Sequence, residues 1–247
     1  MQHPSKLLYK FNIISMIAII TGSSKGIGKS IAIKFAAAGY DILLCSRNEE
    51  QLQSASEEIR LGFPKIKVHF KKTDLSKKEQ AIEFAQWCVG YGLPDILVNN
   101  AGIYLPGNCT EEPDGNLEML MATNLYSAYH LTRALLPHMK AKGKGHIFNM
   151  CSVASLHAYN GGGGYSISKF ALNGFSRNLR HELMHDNIKV TTIFPGAVFT
   201  DSWKGFDNTN ARIMEADDIA NMVVAASKLS VAANVEEILI KPILGDL

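Results

Sequence analysis

The sequence is poor in cysteine and has no long apolar segment. Only four of its 247 residues are cysteines, and none stands in a Cys-x-x-Cys or Cys/His pair with the spacing of a zinc site. Buried free thiols in a reducing compartment are therefore expected at Cys45, Cys88, Cys109 and Cys151. No apolar run reaches the roughly 18 residues that a membrane helix needs, so no membrane association is expected.

The sequence also lacks a strong excess of either charge. Its formal net charge is +2, which gives no reason to expect a nucleic acid partner. The short basic clusters at residues 71–72, 77–78 and 140–144 are interpreted as solvated faces. With 47% hydrophobic and 19% charged residues, the composition is that of an ordinary globular protein.

The N-terminal region imitates a signal peptide, because two lysines precede an apolar run that ends at Ile20. That run leads directly into the glycine loop described below, and cleavage there would cut into this loop. We therefore predict a first strand at residues 16–20 and a cytoplasmic protein. Residues 1–15 are interpreted as an extension, so a protein that starts at Met16 should fold normally.

Short apolar runs alternate with helical patterns along the rest of the chain. This alternation predicts a single α/β domain over residues 16–247, with a doubly wound, Rossmann-like parallel sheet and helices on both faces. The predicted strands are 16–20, 41–46, 66–70, 95–98, 146–151, 189–194 and 237–240. The predicted helices are 27–38, 49–60, 77–89, 117–140, 165–185 and 217–226.

A glycine-rich loop, Thr21-Gly22-Ser23-Ser24-Lys25-Gly26-Ile27-Gly28, lies between the first predicted strand and the first predicted helix. Glycines there permit a tight turn and let the backbone approach a pyrophosphate. The N-terminus of the following helix offers unpaired N–H groups and the positive end of its dipole. The strand–turn–helix context therefore predicts a dinucleotide site, although glycines in such a turn are common by themselves.

The glycine spacing is Gly-x-x-x-Gly-x-Gly, and three further segments follow it in order: Asn99-Asn100-Ala101-Gly102, then Ser152 with Tyr165-x-x-x-Lys169, then Pro195-Gly196 with Thr200. With these motifs the chain resembles the short-chain dehydrogenase/reductase family over residues 16–247. The resemblance implies an oxidoreductase that moves hydride between a nicotinamide cofactor and a small carbonyl or alcohol substrate.

Tyr165 and Lys169 are four residues apart on one predicted helix, so their side chains share a face. A free tyrosine has a pKa of about 10, and a neighbouring ammonium is expected to lower it towards the range useful for general acid–base work. The resemblance makes Tyr165 the general acid/base. Ser152 would hydrogen-bond the substrate carbonyl oxygen, and the nearby Ser155 is the competing candidate.

Asn124 lies inside the predicted helix 117–140, where asparagine often simply faces solvent. In the family that the chain resembles, an asparagine at this place holds a water that links the lysine to bulk solvent. The resemblance therefore implies a proton relay from the carbonyl oxygen through Tyr165, the cofactor ribose and Lys169 to that water.

The second predicted strand ends in Ser46 and Arg47, without the Asp or Glu that NAD-selective folds place there. Ser46 can donate a hydrogen bond to the 2′-phosphate of NADP, Arg47 can bind it in bidentate fashion, and Lys25 brings a second positive charge. NADP(H) is therefore the expected cofactor, and no metal site is expected. The predicted cofactor residues are Thr21, Gly22, Ser24, Lys25, Gly26, Ile27, Gly28, Ser46, Arg47, Asp74, Leu75, Asn100, Ala101, Gly102, Tyr165, Lys169, Pro195, Gly196, Val198 and Thr200.

Two alternative functions, each of a different class, are suggested by single features of the sequence. His181-Glu182-x-x-His185 spells a zinc-peptidase string, but a third ligand and a cleft would be needed, so these are interpreted as surface residues. A non-catalytic dinucleotide-binding regulator remains the other alternative, although it would have no need of Asn124, Ser152, Tyr165 and Lys169 together.

The substrate is left open by the sequence. Residues 201–214 are expected to form part of a substrate lid, in which Trp203 and Phe206 either line an apolar pocket or serve as packing. The C-terminal run from Val235 resembles the bacterial sepiapterin-reductase branch of the family, so a sepiapterin reductase and a 3-oxoacyl reductase are the specific alternatives.

Two further expectations concern the glycine run and assembly. Residues 161–164, all glycine, are predicted to form a flexible lip of the active site. The apolar faces of helices 117–140 and 165–185, with Phe170, Leu172 and Phe175, predict a homodimer or homotetramer with isologous contacts.

Overall fold

The computed structural model of the protein describes residues 15–203 and 205–245. The predicted N-terminal extension, residues 1–15, lies outside the described residues except for its last member. The strands are β1 Ile17–Thr21, β2 Asp41–Ser46, β3 Val68–Lys72, β4 Ile96–Asn99, β5 Gly145–Met150, β6 Ile188–Pro195 and β7 Glu237–Ile240. The helices are α1 Gly26–Ala37, α2 Glu49–Gly62, α3 Lys78–Val89, α4 Asn116–Met121, α5 Ser127–Lys142, α6 Gly163–Leu183 and α7 Ala216–Ser227.

Within the described residues, the seven strands form one parallel sheet in the order β3-β2-β1-β4-β5-β6-β7. Both faces of the sheet are covered, as all-parallel sheets require. Alternate residues of β1 show this directly: Ala18 and Ile20 face one core cluster, whereas Ile17 and Ile19 face the other. The predicted doubly wound α/β fold is confirmed.

Each face of the sheet has its own layer of helices. The first core cluster contains buried side chains of α1, α2 and α7, among them Phe35, Ile59 and Val223. The second contains side chains of α3, α5 and α6, among them Phe84, Leu135 and Leu183. These apolar faces bury the strands between two layers and leave the carboxyl edge of the sheet free for loops.

The chain reverses its winding direction between β1 and β4, which are neighbours in the sheet although far apart in sequence. In open parallel sheets, ligands bind in the crevice outside the carboxyl ends of the strands at such a switch point. The glycine loop follows β1 and the segment Asn100–Gly102 follows β4, so the topology brings both to this crevice.

The predicted helical stretch at 117–140 is helical throughout, but it is not a regular α-helix over its whole length. A π-helical turn, Ala122–Tyr126, separates α4 from α5. The turn widens the helix at the point where Asn124 is needed in the interior, and such π-bulges are frequent at functional sites. The apolar spacing that predicted the helix does not distinguish the two hydrogen-bond patterns.

Three of the four cysteines are buried as expected, and burial raises the pKa of the Cys45, Cys88 and Cys151 thiols. Cys109 is exposed, so the prediction of burial is wrong for this residue. It lies in the surface loop between β4 and α4, where no second layer covers the chain. In the described part of the chain, no helix is long and apolar enough to cross a membrane.

Candidate active site

The glycine loop is joined to the end of β4 by a compact hydrogen-bond network. The Thr21 hydroxyl accepts hydrogen bonds from the backbone N–H groups of Asn100 and Ala101, each at 2.9 Å, and donates to the Val98 carbonyl oxygen. The Asn100 side chain donates to the carbonyl oxygens of Thr21 and Gly22, at 3.0 and 3.1 Å. These bonds fix the two walls of the crevice relative to each other.

Two positions in the loop have no room for a side chain. A Cβ at Gly22 would lie 2.9 Å from the Ala101 Cα, and the φ angle of +61° there also favours glycine. A Cβ at Gly28 would collide with the Gly22 carbonyl oxygen and lie 2.5 Å from the side-chain nitrogen, Nδ2, of Asn100. The loop and α1 therefore approach β4 as closely as backbone permits, which is the cradle that a dinucleotide pyrophosphate requires.

The first turn of α1 faces this cradle. Lys25 precedes the helix in an extended conformation, and no side chain of the described residues caps the helix there. The unpaired N–H groups and the dipole end of this 12-residue helix are therefore available to an anion.

A cavity of about 610 Å³ opens beside the glycine loop at the carboxyl edge of the sheet. Its walls include Ser152, Tyr165 and Lys169, together with Pro195 at the end of β6 and Gly196 directly after it. The predicted residues Ile27, Asn100, Gly102, Val198 and Thr200 also line it. The fold thus brings sequence segments 27, 100–104, 150–169 and 195–203 to one site.

Ser152 and Ser155 have different surroundings. The Ser155 hydroxyl is buried and accepts a hydrogen bond from the Ser152 backbone N–H, so it closes a 3-10 turn over Val153–Ser155. Ser152 lines the cavity together with Tyr165 and accepts from the Ala154 N–H at 3.2 Å. This arrangement favours Ser152 over Ser155 as the group that meets a carbonyl oxygen.

The Tyr165 hydroxyl does not have the lowered pKa expected from the sequence. Burial raises the pKa of Tyr165 to about 12, and the hydrogen bond from Ser152 lowers it by a smaller amount. The Lys169 ammonium lies 5.8 Å from the Tyr165 ring centroid and donates to the Met150 carbonyl oxygen at 2.8 Å. Desolvation therefore outweighs the ammonium, and Tyr165 is a protonated phenol at neutral pH.

Lys169 is buried, with 5% of its surface exposed, and burial lowers its pKa. Its ammonium also lies near Gly102, where a Cβ would be 3.5 Å from Nζ. That distance is an ordinary contact, and the tighter neighbour of a Cβ at Gly102 would be the Asn124 Oδ1, at 3.1 Å.

Asn124 does not face solvent: only 1% of its surface is exposed. Its Oδ1 accepts from the Ile103 N–H at 2.8 Å, and its Nδ2 donates to the Ile103 carbonyl oxygen and to the Ser168 hydroxyl. The π turn supplies this inward position. Asn124 therefore links the segment after β4 to α6, one residue from Lys169.

The glycine run before Tyr165 is fixed by a loop that the sequence did not identify. The backbone of Gly161 bonds to Gly107 and to the side chain of Asn108, and the Glu112 carboxylate accepts from the Gly164 N–H at 3.1 Å. Because Gly163 and Gly164 belong to the first turn of α6, the predicted flexible lip is instead the anchored start of the helix that carries Tyr165. The glycine run in the sequence indicates that another segment approaches it closely, but it does not identify residues 107–112 as that segment.

The residues predicted to select the cofactor lie at the ends of β2 and β3. The Ser46 hydroxyl donates to the Asn48 carbonyl oxygen at 3.1 Å, and Arg47 is exposed. Asp74 is half-buried and accepts from the Ser76 N–H and hydroxyl, and Leu75 is buried in the second core cluster. All four follow strands at the carboxyl edge, on the β2–β3 side of the crevice.

Lys25 makes a contact that the sequence did not suggest. Its ammonium forms an ion pair with the Asp201 carboxylate, and both side chains are exposed. Asp201 begins a 3-10 turn, Asp201–Trp203, in the predicted lid. Thr200 lies beside Gly26, where a Cβ would be 3.2 Å from the threonine methyl group. The glycine loop and the lid are therefore in contact.

The structure also gives the positions of the zinc-peptidase-like motif and of the apolar residues from which an oligomer was predicted. His181, Glu182 and His185 are exposed, and the described residues contain no group of three His, Cys, Asp or Glu side chains arranged to hold a metal ion. Leu172 is buried in the core of the chain, so its assignment to a surplus apolar face is wrong, whereas Phe175 is half-buried and Phe170 is exposed. Assembly itself stays a prediction.

Comparisons with known proteins agree with this architecture. The family model for short chain dehydrogenases matches residues 16–211. The sepiapterin reductase of Chlorobaculum tepidum is 34% identical over 240 residues, covering 94% of this chain and 98% of that protein. A metagenomic short-chain oxidoreductase in complex with NADP is 30% identical with a TM-score of 0.81, covering 92% of this chain and 96% of the other. An alcohol dehydrogenase from Thermococcus sibiricus, complexed with 5-hydroxy-NADP, is 27% identical with a TM-score of 0.85, covering 93% and 97%. The chain is therefore a member of the short-chain dehydrogenase family of oxidoreductases.

Proposed function

We propose that the protein is an NADP(H)-dependent reductase of ketones or aldehydes, in which Tyr165 is the proton donor. The observation that carries this proposal is the cavity beside the glycine loop, which is lined by both the Ser152 side chain and the protonated Tyr165 phenol. Both groups can then reach one carbonyl oxygen.

The glycine loop and the first turn of α1 would hold the cofactor pyrophosphate, and the ends of β2 and β4 would hold the adenosine and nicotinamide sides. The tight approach of Gly22 and Gly28 to the β4 segment fits this group. When bound, the cofactor supplies the hydride that the carbonyl carbon receives. That NADP or 5-hydroxy-NADP is present in the two similar solved structures supports the choice of the phosphorylated cofactor.

Two side chains of the protein, Ser152 and Tyr165, stabilise and then neutralise the negative charge that develops on the substrate carbonyl oxygen. As the carbonyl double bond gives its electron pair to oxygen, the Ser152 hydroxyl donates a hydrogen bond to that oxygen. The Tyr165 hydroxyl then transfers its proton, and the product is a neutral alcohol. The Tyr165 phenol is protonated at neutral pH, so its proton is available to the developing alkoxide.

Lys169 is proposed to return a proton to Tyr165 through the cofactor ribose, and Asn124 is proposed to hold the water that supplies the lysine, as in the relay implied by the family. Two contacts support this: Lys169 shares the cavity with Tyr165, and Asn124 holds Ser168 next to the lysine. Both side chains are buried, so their positions are defined by the fold and not by solvent.

A sepiapterin-type activity is the second candidate. The similarity to the Chlorobaculum tepidum enzyme over nearly the whole chain favours it, as does the matching C-terminal run, which here forms β7 beside the site strand β6. A 3-oxoacyl reductase stays the alternative from the sequence.

The test is a screen of ketones, aldehydes and sepiapterin, with NADPH oxidation followed by absorbance, in the unmodified protein and in Tyr165→Phe. Loss of one hydroxyl should lower kcat by about 100-fold or more, while the Kd for NADPH stays within about threefold. Tyr91→Phe is the control, because this tyrosine is exposed near the amino end of β4. Near-normal turnover in Tyr165→Phe would overturn the assignment of the proton donor.

A further inference from the structure

The part of the cavity away from the glycine loop has an aromatic wall. The Tyr104 ring lies edge-on to the Tyr165 ring, with centroids 4.8 Å apart and an interplanar angle of 84°. Tyr159 lines the same cavity as Tyr104 and Tyr165. The proposed proton donor is therefore flanked by two further tyrosines, which come from the segment after β4 and from the segment before α6.

A third ring comes from the lid. Trp203 lines the same cavity and is held edge-on by Phe206, with centroids 5.3 Å apart. Its backbone N–H donates to the Thr200 carbonyl oxygen at 2.9 Å, and its carbonyl oxygen accepts from the Phe206 N–H at 2.9 Å. Phe206 packs behind Trp203, so the lid presents an indole whose position is defined. The sequence did not decide whether Trp203 and Phe206 line the pocket or serve as packing.

The same cavity offers almost no charge to a substrate. Among the described residues that line it, Lys169 is the only one with an ammonium, guanidinium or carboxylate group, and its ammonium already donates to the Met150 carbonyl oxygen. The imidazole of His157 is the other basic group in the wall. A substrate carboxylate or phosphate buried there would lose its hydration without gaining an ion pair, which is costly.

We infer that the substrate is an uncharged carbonyl compound that carries a planar aromatic or heteroaromatic ring, with the ring against Tyr159 and Trp203 and the carbonyl group at Tyr165. This inference rests on the proposed function and specifies its substrate class. Aromatic rings prefer edge-to-face or offset contact with other rings, and such a pair favours a flat ring over a saturated one by on the order of three- to tenfold in affinity. The cavity of about 610 Å³ is shared with the cofactor, since Asn100, Gly196 and Thr200 also line it, and the ring would occupy the part lined by Tyr159 and Trp203.

The test compares three ketones with the same isolated carbonyl group: 4-phenyl-2-butanone, 4-cyclohexyl-2-butanone and 4-(3-oxobutyl)benzoate. Because the ring is two methylenes from the carbonyl carbon, the intrinsic reactivity of the three ketones is similar. In the unmodified protein, kcat/KM with NADPH should be at least about fivefold higher for the phenyl ketone than for the cyclohexyl ketone. The carboxylate should be the poorest substrate, by about tenfold or more.

Two variants connect this preference to the proposed wall. Tyr159→Leu and Trp203→Leu should each bring the phenyl-to-cyclohexyl ratio of kcat/KM towards 1, mainly through a fall in the value for the phenyl ketone. Tyr91→Leu is the matched control, since Tyr91 is 44% exposed and Tyr159 is 45% exposed. The control should keep the full ratio. Circular dichroism spectra and melting temperatures of the variants identify any that fail to fold.

The two proposals fail in different ways. A small reactive diketone, 2,3-butanedione, serves as a ring-free substrate: turnover of this compound, combined with equal values for the phenyl and cyclohexyl ketones, overturns the inference and leaves the proposed function standing. Absence of turnover with every carbonyl compound overturns the proposed function. In that case calorimetric titration of 4-phenyl-2-butanol and 4-cyclohexyl-2-butanol into the protein with NADP+ decides the inference. Tighter binding of the phenyl alcohol supports it, and equal binding overturns it.

Discussion

The Glu112 carboxylate accepts a hydrogen bond from the backbone N–H of Gly164, at 3.1 Å, directly before Tyr165 in the chain. A carboxylate at the first turn of a helix satisfies an unpaired N–H group and interacts favourably with the positive dipole end. Gly163 and Gly164 leave the space for it, since a Cβ at either position would lie about 3.0 or 3.1 Å from a Glu112 oxygen. Glu112 is therefore a positioning residue for the helix that carries the proposed acid.

Replacing Glu112 with Ala should lower kcat about tenfold while the KM for NADPH stays within about twofold, because the glycine loop is untouched. Stability should fall by about 1 kcal/mol, the usual contribution of a helix cap. Glu112→Gln keeps an acceptor oxygen and should restore most of kcat. Steady-state kinetics and urea unfolding of both variants check this. A parallel loss of kcat and cofactor affinity in Glu112→Ala would indicate a general structural defect and contradict a positioning role.

The Lys169 ammonium is the second test of the site. Lys169→Ala should lower kcat/KM by about 100-fold or more and weaken NADPH binding, because the charge beside the cofactor crevice is lost. The Met150 carbonyl oxygen would also lose its hydrogen bond, so a drop in the melting temperature is expected. Fluorescence titration with NADPH measures the affinity. Lys228→Ala, an exposed lysine at the end of α7, is the control and should change neither quantity.

The site could be predicted from sequence to the extent that its chemistry depends on local spacing. The i,i+4 relation of Tyr165 and Lys169 and the glycine loop after β1 are local, and the fold brings them to one cavity. The inward position of Asn124 depends on a π turn, which apolar periodicity does not encode. The raised pKa of Tyr165 and the contact of Glu112 with Gly164 arise from residues distant in the chain. Such quantities follow from burial and packing, and no single motif carries them.

A buried histidine away from the cavity predicts how stability depends on pH. His146 is 4% exposed, and its Nε2 bonds the Thr191 hydroxyl at 2.7 Å. That hydroxyl donates to the Val235 carbonyl oxygen, so the ring donates through Nε2 and leaves Nδ1 unprotonated and without a partner among the described residues. Burial first, and the Lys189 charge second, lower the pKa of His146 to about 3 from 6.5.

Between these two pKa values, the unfolded chain binds a proton that the folded chain does not. The free energy of unfolding should therefore fall as the pH drops below 6.5, by about 2 kcal/mol at pH 5 from this group. His146→Gln should remove that part of the pH dependence, and the exposed His181→Gln should retain it. Urea unfolding of the three proteins at pH 8 and pH 5 gives the difference. Equal pH dependence in His146→Gln and the unmodified protein would refute the prediction.

We expect cofactor selection to depend on the end of β2, where the chain has Ser46 and Arg47 and no carboxylate. Arg47 is exposed and can turn its guanidinium to a 2′-phosphate, whereas the Lys25 ammonium already pairs with Asp201. We therefore expect Arg47 to carry most of the preference, with kcat/KM for NADPH at least about tenfold above that for NADH.

Ser46→Asp combined with Arg47→Leu should reduce the NADPH-to-NADH ratio of kcat/KM at least about tenfold, because the new carboxylate repels the phosphate and accepts hydrogen bonds from the ribose hydroxyls. Lys65→Leu, an exposed cation before β3, is the control. Equal kcat/KM values for the two cofactors in the unmodified protein would refute the NADP(H) preference, while membership of the family would be unaffected.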